Sequence, residues 1–389
     1  MERAIGSGHP WIFRDALTGQ LPPPGEVVTV LDRKGRFLAR GLAERGAIGV
    51  RVFTTVDVPV DRALIDARID AALSLRLQLA PYATDGVRLI HGEGDRLPGV
   101  VVDRYADVAV LKLDGDAIVG WRDAIEHRLR ERLPSLGIPT LLRRSGRGEA
   151  KQVELVHGEL PSGPIEMLEH GMRLLVDVVH GQKTGMFLDH RPNRARVREL
   201  VAGLVADRDP GEPVRVANLF GYTGGFSLAA GLGGATSVVT VDVTAPALEL
   251  ATRSWVLNGL EPAAHHAAAV EVERWIASQK PGSFDVIVAD PPSFASNQAS
   301  LDKGLSAYRA LHTGALPLVA DGGYYLGASC SSRVDRAAFE DTLLRGARAA
   351  KVELQVLERS GAGFDHPVPL GFPEGEYLQA TLCRVWRSR

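Results

Sequence analysis

The stretch VRVANLFGYTGGFSLAAGLGGATSVVTVD, Val214–Asp242, decides the fold. Val214–Leu219 is apolar and rich in β-branched residues, as a strand buried on both faces must be. Gly221, Gly224 and Gly225 follow at once, and glycine lets backbone pass close to a ligand with no Cβ in the way. Phe226–Gly231 reads as a helix whose first N–H groups face that ligand. Ser237–Val241 reads as a second strand, with Asp242 at its end. Asp242 lies 21 residues beyond Gly221, the place from which a carboxylate holds the ribose hydroxyls of a nucleotide. Asn218, Phe220, Tyr222, Thr223 and Gly224 are the neighbours expected to line the ligand. A structural β-α-β unit with turn glycines is the competing reading, because one glycine turn is a weak signal.

A second motif narrows the choice. The glycines run G-x-x-G-G, not the G-x-G-x-x-G of dinucleotide binders. Phe284–Asp290 (FDVIVAD) is another buried strand, and it runs into Pro291-Pro292-Ser293-Phe294. Two prolines end the ladder and hold the chain rigid, which leaves Asp290 at the carboxyl edge of the sheet, where α/β ligands bind. Asp-Pro-Pro-aromatic at this place resembles motif IV of S-adenosylmethionine (SAM)-dependent methyltransferases that act on nucleic-acid bases. That resemblance makes SAM the expected cofactor and puts Asp290 and Pro291 in its site.

Gly327-Ala328-Ser329-Cys330-Ser331-Ser332 follows a later strand, Gly323–Ala328. In the expected order this strand neighbours the one ending in Asp290, so Cys330 and Asp290 should face one cleft. Most cysteines are inert packing residues, but a Ser-Cys-Ser-Ser loop at the ligand edge is a poor place for packing. Cys383, inside the expected strand Tyr377–Trp386, has no assigned role. A thiolate suits one reaction in particular. Carbon 5 of cytosine is too weak a nucleophile to attack a sulfonium methyl, and thiolate addition at carbon 6 makes it enamine-like. Asp290 would supply the proton or hydrogen bond at ring nitrogen 3. Amine methylation needs no thiol, and the Asp-Pro-Pro motif alone would suit it.

The 389 residues suffice for two or three domains. With 45% apolar and 24% charged residues the composition is that of a soluble globular chain. No apolar run reaches membrane-spanning length, and MERAIGSGHPWIF has no secretory apolar core. Two cysteines suggest no disulfide framework, so a reducing cytoplasm is expected. No Cys/His group has metal spacing, and no metal is expected; His265-His266 reads as a solvated pair. A net charge of −2 argues against a tail-driven nucleic-acid binder but leaves room for a basic groove. Residues 121–151 hold eight cations (Arg122, Arg128, Arg130, Arg132, Arg143, Arg144, Arg147, Lys151) against four acids, Glu149 among them. Residues 180–198 hold five (Lys183, Arg191, Arg194, Arg196, Arg198) against Asp189. A solvated helix face or a phosphate-contacting surface accounts for each.

Residues 1–57 read as a small β domain with runs at Glu26–Asp32, Phe37–Ala43 and Gly49–Thr55, and no helical period before Asp61. Asp61–Ala80 is a helix, with Ile65, Ile69, Leu73 and Leu77 along one face and Pro81 as its stop. Residues 85–160 read as a small α+β domain with one long helix, Ala117–Leu133; the acids of Glu93–Tyr105 read as surface charges of a hairpin. A hairpin over 164–180 leads to His180–Arg191 (HGQKTGMFLDHR), a loop suited to cap a ligand. There Lys183, Thr184, Gly185, Phe187 and Arg191 are candidate contacts, Lys183 or Arg191 through the methionine carboxylate. Glu271 stands after the third core strand, where an acid would read the adenine amino group. Val352–Arg359 and Tyr377–Trp386 close the chain as an antiparallel pair, which disfavours a nicotinamide oxidoreductase.

The motifs GHPWIF, EGDRLPGVVVDRY, HGQKTGMFLDHR, NLFGYTGGF, VIVADPPSF, SCSS and DHPVPLGFPEGEYLQATLCRV run in order over nearly the whole chain. Together they resemble the bacterial 23S rRNA cytosine-C5 methyltransferases with an N-terminal PUA domain, a small fold that binds structured RNA. The resemblance implies an α/β class I methyltransferase, Rossmann-like with a seven-stranded sheet, preceded by the β PUA domain and the α+β middle domain. The divisions expected are 1–60, 61–180 and 181–389. It implies SAM as donor, 23S rRNA as partner and Cys330 as nucleophile. No second cysteine accompanies Asp290, unlike other RNA cytosine-C5 enzymes, so another base must release the product. A different RNA base, an exocyclic amine, and a non-catalytic rRNA-binding or assembly factor are the alternatives; a homodimer is among the open assemblies.

Overall fold

The computed structural model describes residues 2–79, 82–146, 151–295 and 298–387. The chain divides into two units: 1–167 with 177–188 and 364–375, and 168–176 with 189–363 and 376–389. In the second unit the apolar runs become seven strands: β1 Arg215–Leu219, β2 Ser237–Asp242, β3 His265–Ala269, β4 Phe284–Ala289, β5 Val319–Ser329, β6 Val352–Ser360 and β7 Gln379–Arg387. They form one sheet in the order β3-β2-β1-β4-β5-β7-β6. The first five pair in parallel, and β7 runs antiparallel between β5 and β6.

Among the described residues six helices cover this sheet: α1 Arg191–Ala206, α2 Gly225–Leu232, α3 Ala245–Leu257, α4 Val272–Ala277, α5 Leu301–Ala315 and α6 Arg336–Ala350. Alternation along β1 decides who meets whom. Ala217 and Leu219 pack with Tyr308, Phe339 and Trp275, while Val216 packs with Val197, Phe226 and Trp255 on the other face. Both faces are therefore covered, as a parallel sheet requires. His265 is no solvated residue: its ring stacks on Trp255 at 4.9 Å and its Nε2 bonds Thr240 Oγ1 at 2.8 Å. Burial pushes its pKa down to about 4. His266 is exposed.

The first unit holds a four-stranded antiparallel sheet of Trp11–Phe13, Ile48–Thr54, Phe37–Ala43 and Val27–Leu31. A five-stranded sheet follows, from Gly86–His91 to Gln152–His157. A short helix, Glu2–Gly6, precedes the first strand where no helical period was readable, and its Ile5 joins the core. The helix Arg62–Leu79 buries Ile65, Ile69 and Leu73, but Leu77 is exposed. Ala80, Pro81, Arg147 and Glu149 lie outside the described residues. The helix expected over Ala117–Leu133 is two, Asp116–Val119 and Arg122–Arg132. The break falls at Gly120-Trp121, where the Trp121 indole donates to Gly25 O at 3.1 Å.

The acids of Glu93–Tyr105 are internal rather than surface charges. Glu93 accepts from the Trp11 indole and from Arg51, Asp95 pairs with Arg76, and Asp103 with Arg88. The two basic runs are also largely consumed within the fold. Arg128 and Arg132 meet Asp70, Arg130 and Arg143 meet Glu126, and Arg144 and Lys151 hold backbone carbonyls of residues 179–183. Arg194 forks onto Glu169 and Arg196 pairs with Glu358. Neither run is an open field of cations. Among the described residues no helix is long and apolar enough to cross a membrane, and no His, Cys, Asp and Glu group is arranged around a metal.

Candidate active site

The turn after β1 is held in an uncommon conformation by specific bonds. Phe220, Tyr222 and Gly224 have φ of 58°, 47° and 75°. For non-glycine residues this left-handed region costs roughly 1–2 kcal/mol each, and such outliers cluster at ligand sites. Gly221 N donates to Val241 O at 2.9 Å and Tyr222 N to Asp242 Oδ2 at 2.9 Å. The second carboxylate oxygen of Asp242 accepts from Thr244 N at 2.8 Å. Asp242 thus ties the turn to the end of β2. A Cβ on Gly221 would meet Thr240 Cγ2 at 2.5 Å, and one on Gly224 would meet Ala251 Cβ at 2.6 Å. Beneath the turn Asn218 Nδ2 donates to Ser227 Oγ, which reaches Thr240 Oγ1 at 2.6 Å. Asn218 and Thr223 are buried, and among the described residues Asn218 Oδ1 is a buried acceptor with no bond. Glu271 is exposed just beyond β3.

Asp290 and Cys330 each follow a strand end on neighbouring strands, with Ala289 of β4 paired to Gly327 of β5. Cys330 is half-buried, and its Sγ lies 3.9 Å from Pro291 O. The two loops are pinned together from below by Tyr308 of α5. Its hydroxyl lies 2.9 Å from both Ser329 Oγ and Ser331 Oγ, the two serines flanking the cysteine. Ser331 Oγ in turn lies 3.0 Å from Ser293 Oγ of the Pro-Pro-Ser loop. Burial raises the Tyr308 pKa, so the phenol stays a donor. Cys383 is its opposite: it sits 1% exposed in β7, and burial pushes its thiol up to about 12. Thiolate reactivity is therefore denied to it.

One group at this edge carried no sequence signal. His190, just before α1, places Nε2 3.2 Å from Asp290 Oδ1. Its ring packs edge-on against Phe226 at 5.3 Å. It sits inside a quoted motif, but nothing in local spacing joins residue 190 to residue 290. Arg191 is buried, its Nε 4.0 Å from Glu169, so a carboxylate of the protein already faces it.

The other cap residues belong to the first unit. Lys183 has φ of 47° and sets its ammonium 4.1 Å over the Phe187 ring. Thr184 is buried and donates to Asp103 Oδ2 at 2.6 Å, and Gly185 N donates to Gln182 O at 2.8 Å. Arg144 grips the carbonyls of Val179, Gly181 and Lys183. These bonds fix the loop's own shape.

A β3-β2-β1-β4-β5-β7-β6 sheet with an antiparallel β7, a left-handed turn after β1 and an acid closing β2 is the architecture of class I methyltransferases. The family model for S-adenosylmethionine-dependent methyltransferases matches residues 135–368, and that for a PUA-like domain matches residues 1–55. The ribosomal RNA large subunit methyltransferase I of Shewanella denitrificans is 36% identical, over 99% of this chain and 97% of the relative. A ribosomal RNA large subunit methyltransferase of Deinococcus radiodurans is 35% identical, over 99% and 95%. A solved structure from Streptococcus mutans superposes with a TM-score of 0.83 at 20% identity, over 98% of this chain and 97% of that one. The chain belongs to the S-adenosylmethionine-dependent methyltransferase family, with an N-terminal PUA-like domain, and SAM is its cofactor.

Proposed function

We propose that this enzyme methylates carbon 5 of a cytosine in large-subunit ribosomal RNA, in the cytoplasm, with Cys330 as the nucleophile. The observation that carries the reading is the 3.9 Å approach of Cys330 Sγ to Pro291 O, directly after Asp290. The names of the full-length relatives support ribosomal RNA as substrate. The glycine cradle and the unbonded Asn218 Oδ1 fit a polar ligand. The turn Phe220–Gly224 would hold the donor, with Asp242 toward its ribose, Glu271 toward its adenine and Asp290-Pro291 beside it. The cap residues Lys183, Thr184, Gly185, Phe187 and Arg191 stand as further candidates. Bound SAM supplies an electrophilic methyl.

The chain's own groups would do the rest. Cys330 thiolate adds to carbon 6, the ring π-electrons shift to nitrogen 3, and Asp290 delivers a proton there. Carbon 5, now enamine-like, takes the methyl. Loss of the carbon 5 proton to a base then expels the thiolate, and nitrogen 3 returns its proton, so 5-methylcytosine leaves and one proton is released. The test is methyl transfer to 23S rRNA, with the product nucleoside identified by mass spectrometry. Wild type should yield 5-methylcytidine, and Cys330→Ala should lose turnover while SAM binding by calorimetry persists. Full activity in Cys330→Ala, or another methylated nucleoside, would reject the reading.

A further inference from the structure

His190 is 2% exposed, and its protonation is readable from its neighbours. Ser360 Oγ donates to Asn193 Oδ1 at 2.6 Å, and the Asn193 Nδ2 group lies 3.4 Å from Gly361 O, an acceptor. The amide orientation follows: oxygen toward Ser360, NH2 toward Gly361 and the imidazole. That NH2 lies 3.0 Å from His190 Nδ1 and can only donate. Nδ1 must then be a lone pair, so the proton of a neutral ring sits on Nε2. Nε2 faces Asp290 Oδ1 at 3.2 Å, yet the pair is not aligned as a hydrogen bond, and among the described residues Nε2 has no other partner. A buried donor without an aligned bond is rare in native proteins and points to a function or a bound group. Catalytic contacts are often loose before the substrate arrives and tighten only in the complex.

We infer that His190 is a positioning residue that fixes how Asp290 meets the target base. This rests on the cytosine-C5 reading above. With Nε2–H turned on Oδ1, that oxygen is the acceptor. Any proton on the carboxyl group therefore sits on Oδ2, and Oδ2 is the atom that serves ring nitrogen 3. The relay Ser360–Asn193–His190–Asp290 spans three separate places in the sequence and ends at the reacting edge of the sheet. Its logic is that of a base oriented by a third group.

The experiment uses 23S rRNA transcribed with 5-fluorocytidine, SAM and the full chain. Fluorine at carbon 5 cannot leave as a proton, so the thiolate adduct persists and its rate of formation is read directly. His190→Ala should slow adduct formation by about a hundredfold, the lower range for losing acid–base function. SAM affinity without RNA should stay within about twofold. His190→Gln, whose amide can place an N–H near the Nε2 position, should recover to within about tenfold, and His190→Asn should not. In an Asp290→Ala background His190→Ala should add nothing, whereas a merely structural loss would add in full. Should His190→Ala not fold, Asn193→Leu carries the test, since it frees the tautomer and keeps the ring; about tenfold slowing is expected. Wild-type rates in His190→Ala or Asn193→Leu, or additive losses with Asp290→Ala, overturn the role of His190. No adduct with wild type overturns the cytosine-C5 reading instead.

Discussion

At the scale of residues, the site is defined by contrast between two cysteines. Cys383 is sealed in β7 with its thiol pushed up to about 12, while Cys330 stands half-buried at a strand end beside Pro291. What holds Cys330 there is a phenol. Ser329 donates to Tyr308, which leaves the phenol proton for Ser331. Tyr308→Phe removes one partner from each of the two serine hydroxyls in a buried site. The expected cost is about 1–3 kcal/mol, read as a lower urea midpoint, with turnover reduced and SAM affinity kept. An unchanged midpoint would mean that the loop is held by something else. Chain position marked Cys330 and Asp290 as candidates, because each follows an apolar strand at the edge where α/β ligands bind. It did not mark His190 or Tyr308, whose meaning lies only in partners about a hundred and about twenty residues away.

At the scale of elements, the parallel core was legible because its strands are buried on both faces. Such strands read as continuous β-branched runs with glycine and proline at their ends. Charge was misleading for the same physical reason that makes it interesting. Arg194 and Glu169 are both buried and paired bidentately, an arrangement that sequence cannot distinguish from a phosphate-binding arginine. The helix Asp116–Arg132 broke because Gly120-Trp121 is recruited by a distant carbonyl at Gly25. The turn after β1 gives the element-scale prediction. Gly224 has φ of 75° and no room for a Cβ beside Ala251. Gly224→Ala should cost about 1–2 kcal/mol in backbone strain alone and displace the turn. SAM affinity by calorimetry should fall at least tenfold; an unaltered affinity would put the donor elsewhere.

At the scale of the molecule, the chain passes between its two units five times, so neither unit is a continuous segment. Asp365, late in the chain, accepts from Arg88 N at 2.9 Å and offers its carbonyl to Arg76 at 3.0 Å, both in the first unit. No local pattern announces such a return. Stability should depend on pH through buried imidazoles. Burial pushes His312 down to about 3 and His265 to about 4, whereas both titrate near 6.5 when unfolded. The unfolded chain therefore binds more protons below about 6.5. Stability from these groups is fully present above that pH and is lost as pH falls toward 3–4. Urea midpoints should drop between pH 7 and pH 4.5, and a rise on acidification would contradict this. In the proposed reaction the sulphur at 330 bonds the target base with the aid of the carboxylate at 290. Its most direct measurement is peptide mapping by mass spectrometry after SAM-dependent trapping on 5-fluorocytidine RNA. The expected result is a fluorinated, methylated nucleotide attached to the peptide carrying Cys330. An adduct on another residue, or none with SAM bound, would contradict it.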